Sequence, residues 1–287
     1  MKLWKRLLAI PIAASLVMGL LPAPALAEDT AHSHPICGEA HTDIGDHTGD
    51  NCKDATWTAW DGTSTITYDT NNTAYVYLEK DATRESRLEV KAGYTLYLCL
   101  NGQKLESSLT SSASQGMSQV INVSNGAKFI LCDCKGGGTI THSSGAKGKG
   151  VRVGGSAPAA ATFSMYGGTI SGNHADDPRS GAGGAGVEIQ NGTFKMYGGT
   201  ISDNYEENAG SNYGGGGVCA HTSGTFTMYG GIISDNQSVT DAGGVTVVGG
   251  TMNIYGGTIS NNIAKGDGGG IWTNINGFII SGNSVIE

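Results

Sequence analysis

The chain has 287 residues, of which 47 are glycine and only 15% are charged. This composition fits neither a charged disordered chain nor a helical bundle, and the glycines show no collagen-like three-residue period. The formal net charge of −8 argues against nucleic acid and anionic membrane surfaces as partners, because like charges repel.

The first 27 residues have the pattern of a signal peptide. Three basic residues within the first six positions precede an apolar run from Leu7 to Leu21, and Ala25-Leu26-Ala27 supplies the small-x-small cleavage pattern. We therefore predict cleavage near Ala27–Glu28 and a secreted or cell-surface protein. No later apolar stretch approaches about 18 residues, so no transmembrane segment is expected after cleavage. The mature chain would carry 14 basic and 25 acidic side chains, a net charge of −11.

Residues 28–60 are predicted to form a leader and cap rich in histidine and cysteine. Six potential ligands lie within 21 residues: His32, His34, Cys37, His41, His47 and Cys52. Secretion favours a disulfide between Cys37 and Cys52, whereas the histidine density permits a zinc site built from both cysteines and two histidines. The spacings match no strong zinc signature, so the disulfide is preferred and no cofactor is predicted, and a disordered leader is the third alternative. Trp57 and Trp60 are expected to cap the first coil, and a sugar-stacking role for them is the less favoured alternative.

Residues 61 to about 150 have the pattern of irregular coils. The segment GYTLYLCL from Gly93 aligns with GAKFILCD from Gly126, 33 residues later. Upstream, TITY from Thr65 and AYVYLEK from Ala74 are predicted as the first strands. Alternation of apolar and polar residues over these short segments is typical of half-buried strands.

Residues 151–283 contain a regular repeat. A twelve-residue phrase recurs as TFSMYGGTISGN from Thr162, TFKMYGGTISDN from Thr193, TFTMYGGIISDN from Thr225 and TMNIYGGTISNN from Thr251, and a shortened copy, GFIISGN, begins at Gly277. The tyrosines of the four full copies are 31, 32 and 26 residues apart. Self-similarity at this period indicates stacked units that cannot bury their apolar faces alone.

Each repeat predicts two or three short strands. Phe163 and Met165 alternate with polar neighbours, and a second short strand follows a glycine-rich turn, as in GVEI from Gly186. No segment shows helical periodicity. The sequence therefore predicts an all-β fold, a right-handed single-stranded parallel β-helix of about six to eight coils over residues 61–287.

These motifs resemble the repeats of right-handed parallel β-helix proteins of bacterial surfaces and secretions, which have a pectin-lyase-like fold. They are also similar to the repeats of polymorphic outer-membrane proteins. The resemblance covers most of the mature chain and implies an adhesin-like protein outside the cytoplasm. The resemblance implies no particular catalytic activity, so any activity has to be inferred from the residues themselves.

Two columns of identical residues are candidate functional or structural features. The asparagine that ends each I-S-x-N segment predicts a hydrogen-bonded ladder: Asn173, Asn204, Asn236, Asn262 and Asn283. A calcium site is the less favoured alternative, because calcium would require clustered carboxylates. The tyrosines predict an outward column about 4.8 Å apart: Tyr166, Tyr197, Tyr229 and Tyr255. This column could stack sugar rings, although mutual stacking of the tyrosines is the favoured interpretation.

Catalysis has little support in the sequence, although polysaccharide lyases and galacturonases share this fold. The nearest acidic group is the segment NHADDPR, with His174, Asp176, Asp177 and Arg179. Its composition is typical of a solvated turn, and no other segment supplies the paired acids or the base that these reactions need. We therefore predict no catalytic residues.

The predicted function is adhesion or binding of a glycan or a host or cell-surface protein. A polysaccharide lyase or glycoside hydrolase and a structural stalk of a larger surface assembly are the alternatives. The shortened last coil is expected to leave an open edge that could pair with a partner.

Overall fold

The computed structural model describes residues 33–37, 52–110, 118–156, 158–176, 183–207, 214–275 and 277–287, with residues 33–37, 52–54 and 56 described through their backbone alone. Throughout these ranges the chain is all-β, and its strands stack as a parallel β-helix, as predicted. Within the same ranges, no helix has the length and apolar character needed to span a membrane.

The strands are short and numerous. In chain order they are β1 (Ser33–Cys37), β2 (Cys52–Thr56), β3 (Thr58–Trp60), β4 (Thr73–Leu78), β5 (Ala82–Arg84), β6 (Leu88–Val90), β7 (Thr95–Cys99), β8 (Lys104–Ser107), β9 (Gln119–Val123), β10 (Lys128–Cys132), β11 (Thr139–His142), β12 (Lys149–Val153), β13 (Ala161–Met165), β14 (Thr169–Ser171), β15 (His174–Ala175), β16 (Val187–Met196), β17 (Thr200–Ser202), β18 (Tyr205–Glu206), β19 (Val218–Met228), β20 (Ile232–Ser234), β21 (Gln237–Ser238), β22 (Val245–Val247), β23 (Thr251–Ser260), β24 (Ile263–Ala264), β25 (Ile271–Thr273) and β26 (Ile279–Ile286).

Parallel pairing between successive coils creates three faces. Face A stacks β3, β4, β7, β10, β13 and then parts of β16, β19, β23 and β26. Face B stacks β5, β8, β11, β14, β17 and β20, followed by the later parts of β23 and β26. Face C stacks β6, β9, β12, the early parts of β16 and β19, and then β22 and β25. The three faces form one continuous sheet, and a separate four-stranded sheet joins β15, β18, β21 and β24.

Identical apolar residues fill the interior of the coils. Four phenylalanines of face A stack with ring centroids 5.1, 4.6 and 5.4 Å apart: Phe129, Phe163, Phe194 and Phe226. The isoleucine of each I-S-x-N segment forms a second buried column on face B: Ile170, Ile201, Ile233 and Ile259. Because each residue packs on its counterpart one coil away, the repeat in the sequence becomes a continuous core.

The turns explain why the repeat keeps its glycines. The second glycine of the Gly-Gly pair in each full copy of the twelve-residue phrase has a positive φ of 83 to 97°: Gly168, Gly199, Gly231 and Gly257. At Gly199 an added Cβ would also lie 2.6 Å from Met165 Cε. The x position of I-S-x-N is left-handed too, and it is occupied by Gly172, Asp203, Asp235 and Asn261. Glycine, aspartate and asparagine are the residues that adopt this conformation at least cost.

The first coil differs from the sequence prediction in two details. Thr58–Trp60 already pairs with β4 in face A, so the β-helix begins before residue 61, and Trp60 joins the core instead of only capping it. The segment TITY from Thr65 is not a strand, whereas AYVYLEK from Ala74 contributes to β4. The predicted alignment of Gly93 with Gly126 is confirmed by the register of β7 and β10.

Candidate functional site

The asparagine column forms a directional hydrogen-bond ladder beneath face B. The Nδ2 of Asn173 donates to Asn204 Oδ1 at 2.9 Å, and the same bond repeats from Asn204 to Asn236 at 2.9 Å and from Asn236 to Asn262 at 3.0 Å. Each amide also donates to a backbone carbonyl of the preceding coil, for example from Asn204 to Ile170 O at 2.9 Å. These side chains are buried, and the ladder therefore satisfies polar groups of the interior.

The two ends of the ladder differ from the prediction. His142 occupies the upstream end, with Nδ1 2.8 Å from Asn173 Oδ1 and Nε2 3.0 Å from Ser118 O. Burial lowers the pKa of His142. At the downstream end, Asn283 is exposed, and its register partner is Gly256. Asn283 therefore does not belong to the ladder. In earlier coils a turn separates the strands of face A and face B, whereas β23 and β26 each run through this segment as one continuous strand.

The tyrosine column is a stack of nearly parallel rings. Centroids are 4.6 Å apart from Tyr166 to Tyr197, 4.9 Å from Tyr197 to Tyr229 and 5.3 Å from Tyr229 to Tyr255, with interplanar angles of 5, 7 and 19°. Both faces of the two inner rings are thus covered by neighbouring tyrosines. Tyr197 is only 4% exposed, whereas Tyr255 at the end is 38% exposed. A sugar ring could stack only beyond the ends of this column, so the inner rings offer no platform.

A buried charge cluster lies on face C. The register aligns one column of residues on successive coils: Arg152, Glu188, Cys219, Thr246 and Trp272. Within this column, Glu188, Cys219 and Thr246 are almost fully buried. One oxygen of Glu188 lies 2.7 Å from Lys149 Nζ and the other lies 3.2 Å from Arg152 Nε. Although burial alone would raise the pKa of Glu188, Lys149, His221 and Arg152 hold it well below its ordinary value.

The same cluster places a thiol beside an imidazole. Cys219 Sγ lies 3.7 Å from His221 Nε2, which is also 3.6 Å from Glu188 Oε1. Burial would lower the pKa of His221, but Cys219 and Glu188 raise it to about 10. A catalytic triad needs the acid on one ring nitrogen and the nucleophile on the other. Here both face Nε2 and Cys219 is fully buried, so the arrangement stabilises the fold and is unsuited to nucleophilic catalysis.

The acidic loop singled out in the sequence joins a surface ion-pair network. Lys147 Nζ lies 3.3 Å from Asp176 Oδ2 and 2.7 Å from Glu207 Oε2, and His174 Nε2 is also 2.7 Å from Glu207 Oε2. Lys147 and then His174 lower the pKa of Glu207. A glycosidase needs one carboxyl group with a raised pKa to act as the acid, and these contacts work in the opposite direction. Asp177 and Arg179 lie outside the described residues.

The predicted cysteine and histidine leader is described only in part. In the antiparallel pairing of β1 and β2, Cys37 lies opposite Cys52 and His34 lies opposite Ala55. The side chains of Cys37, Cys52 and His34, and the whole of His32, His41 and His47, lie outside the described part of the chain. The disulfide and the zinc site therefore stay predictions. Among the side chains that are described, no three His, Cys, Asp or Glu groups converge as a metal site.

A cleft at the first coils was not predicted from the sequence. It has a volume of about 590 Å³ and lies between β3, the loop after it and β4. Three aromatic rings and five aliphatic hydroxyl groups line it, together with Asp69 and small apolar side chains: Trp60, Tyr68, Tyr75, Thr58, Ser64, Thr65, Thr67 and Thr73. The density of threonine and tyrosine in residues 65–77 was the available signal, but strand pairing decides which of these side chains share a cavity.

The walls of the cleft are held in place by short-range contacts. Asp61 Oδ1 accepts the backbone N–H of Thr63 at 2.8 Å and of Ser64 at 2.7 Å, which lowers the pKa of Asp61. Asp69 Oδ1 accepts the N–H of Asn71 at 2.9 Å and of Thr73 at 2.8 Å. The loop between the strands is therefore pinned near both of its ends.

Each aromatic ring of the cleft packs against a neighbouring side chain. Tyr68 packs edge-on against Tyr94 with centroids 4.8 Å apart, and Tyr75 stacks on Tyr97 at 4.6 Å. The guanidinium of Arg84 lies 5.6 Å from the ring of Trp60. Burial, followed by Tyr94, raises the pKa of Tyr68 to about 12, so its hydroxyl remains a neutral hydrogen-bond donor and acceptor.

Comparisons of the chain with family models, with curated proteins and with solved structures find no match. Function must therefore be inferred from the geometry of this molecule.

Proposed function

We propose that this chain is exported and acts as a non-catalytic, adhesin-like β-helix protein that binds a neutral polysaccharide. The observation that carries the proposal is the cleft of about 590 Å³ at the first coils, with its aromatic and hydroxyl lining. Sugar rings bind to proteins through C–H contacts with aromatic faces and through hydrogen bonds to their hydroxyl groups. The cleft offers both kinds of contact within a volume typical of small-ligand sites.

Charge favours a neutral glycan over a uronic-acid polymer. The mature chain would carry a net charge of −11, and Asp69 is the charged residue of the cleft lining. An anionic polymer would be repelled at long range, whereas a neutral one would not. The loop between β3 and β4 also favours binding. Hydrogen bonds already hold it in place, so little conformational entropy is lost when a ligand binds.

The ion pairs formed by the described carboxylates favour binding without catalysis. Glu188 is buried between two cations, and Asp176 and Glu207 share Lys147 on the surface. The pKa values of Glu188 and Glu207 are lowered by these cations, whereas general-acid cleavage of a glycosidic bond requires an exposed carboxyl group with a raised pKa. A lyase or hydrolase therefore receives no support from them.

The proposal is tested by screening the full chain on an array of neutral and uronic-acid glycans and assaying every hit for product. We expect binding to neutral glycans without turnover. Thr67→Arg, which fills the cleft, should lower affinity at least tenfold. Thr70→Arg is the matched control, since Thr70 is exposed in the same loop but does not line the cleft, and it should bind as the wild type does.

Equal binding by both variants would place the ligand elsewhere on the coils. Turnover would overturn the non-catalytic assignment, and no binding by the wild-type chain would favour a structural stalk.

A further inference from the structure

Three cysteines lie together where face A turns toward face B. Cys99 ends β7, and its register partner one coil later is Cys132, which ends β10. Cys134 follows two residues downstream, in the turn. Cys99 is fully buried, Cys132 is half-buried and Cys134 is exposed. Two successive coils therefore bring three sulfur atoms to one place.

The contacts pair Cys99 with Cys134. Their Sγ atoms are 3.4 Å apart, and the backbone N–H of Cys134 donates to Cys99 Sγ at 3.4 Å. The thiol of Cys132 donates to the carbonyl oxygen of Leu98 at 3.7 Å and also forms a hydrogen bond with Cys99, which raises the pKa of Cys132. Register partners in parallel strands have parallel Cα–Cβ bonds, which strains a direct Cys99–Cys132 bridge. Cys134 approaches from the turn and is not restricted in this way.

We propose that Cys99 and Cys134 form a disulfide that clips two successive coils together. A disulfide bond needs an S–S distance of about 2.05 Å, so the sulfurs must approach by only about 1.4 Å. This inference concerns the coils themselves and does not depend on polysaccharide binding in the cleft.

The oxidant is a disulfide compound, either small or carried by an oxidoreductase. The sulfur of exposed Cys134, as thiolate, attacks one sulfur of the oxidant, and the first thiol leaves as a mixed disulfide forms. The sulfur of Cys99 then attacks Cys134 Sγ and expels the second thiol. Overall, the thiols of Cys99 and Cys134 and one oxidant disulfide give one Cys99–Cys134 disulfide and the two thiols of the reduced oxidant. Although Cys134 is exposed as a residue, partial burial of its thiol and the contact with Cys99 raise its pKa to about 12, so the exchange should accelerate with rising pH.

The bridge would close a loop of 35 residues in the unfolded chain. Such a loop restricts the unfolded ensemble enough to raise the Tm of a domain of this size by about 5–10 °C.

The test starts from the reduced full chain, which is incubated with oxidised glutathione, alkylated and digested without reductant by trypsin and Asp-N protease. Asp-N cleaves before Asp133, so the digest separates Phe129–Cys132 from Asp133–Lys135. We expect Ala92–Lys104, which contains Cys99, to be linked to Asp133–Lys135 in the mass spectrum. Oxidation should raise the Tm of the wild type.

Two cysteine variants distinguish loss of the disulfide from loss of folding. Cys132→Ser should retain the link and the rise in Tm, whereas Cys134→Ser should lose both while its reduced form melts near the reduced wild type. A link from Cys99 to Phe129–Cys132 in the wild type, or three thiols that all remain alkylatable after oxidation, would overturn the proposal. Stoichiometric zinc that protects the three thiols of the reduced chain would overturn it as well.

Discussion

His142 Nδ1 lies 2.8 Å from Asn173 Oδ1, so a histidine begins the asparagine ladder of this β-helix. The amide nitrogen of Asn173 is already committed to Asn204 at 2.9 Å, which leaves Oδ1 as the acceptor that faces the ring. The orientation of every later amide follows from the same rule, since each Oδ1 accepts from the preceding coil. The ladder is therefore a single connected network, and breaking one member affects both of its neighbours.

Substitution of an inner ladder residue should be costly. Asn204→Ala removes the acceptor that serves both the backbone N–H and the side-chain amide of Asn173, and the donor to Ile170 O. We expect a loss of about 2–4 kcal/mol in the free energy of unfolding, measured by urea titration. Asn283→Ala is the matched control, because Asn283 is exposed outside the ladder, and it should change the same quantity by less than about 0.5 kcal/mol. Equal losses of unfolding free energy in the two variants would contradict the conclusion that the ladder stabilises the fold.

The tyrosine stack should contribute to stability according to position. Tyr197→Ser removes a ring that is 4% exposed and stacked on both faces, so we expect a loss of about 3 kcal/mol. Tyr255→Ser removes the 38% exposed end of the stack and should cost less than about 1.5 kcal/mol. Thermal unfolding of both variants gives the comparison. If instead both fold like the wild type and lose glycan binding, the ligand binds at this column and not in the cleft.

Glu188 should make the fold sensitive to acid. Glu188→Gln leaves Lys149 and Arg152 without their buried partner and should cost about 3–5 kcal/mol at neutral pH. The folded-state pKa of Glu188 is held well below 4.5, so the unfolded chain binds the proton first and the contribution is lost as pH falls below about 4.5. The deficit of the variant should therefore shrink between neutral pH and pH 3, measured by urea titration.

Glu85→Gln controls for the removal of one acid, because Glu85 is exposed. Its stability should remain close to that of the wild type over the same pH range. A deficit of Glu188→Gln that does not change with pH would refute the assigned role of the Glu188 charge.

His221 should act in the opposite pH window. Its folded-state pKa is raised to about 10 from an ordinary value of 6.5, so its stabilising contribution is complete below pH 6.5 and is lost as pH rises toward 10. We expect the deficit of His221→Gln to be largest near pH 6 and to decrease by pH 9, as followed by Tm. Lys265→Gln removes one exposed positive charge and should show no such trend. A constant or growing deficit of the His221 variant would argue against the ion pair.

Much of the fold could be predicted from the residues because the repeat itself encodes it. The alternation around Phe163, the glycine pairs and the I-S-x-N segments each fix a local conformation, and their recurrence predicts identical coils in parallel register. The same logic predicted the column of Tyr197 and the ladder through Asn204. Where the repeat degenerates, as at TITY from Thr65, alternation without a partner strand was not sufficient to predict the structure.

The sites depended on contacts that no local pattern contains. Chain separations of 35 residues between Cys99 and Cys134 and of 36 between Arg152 and Glu188 become contacts only when coils stack. The sequence by itself determined a parallel β-helix, because period and turn chemistry act within one coil. Only the tertiary structure decided which outward-facing side chains become buried, which thiols meet and where the first coils leave a cleft, because these depend on how unequal coils pack on one another.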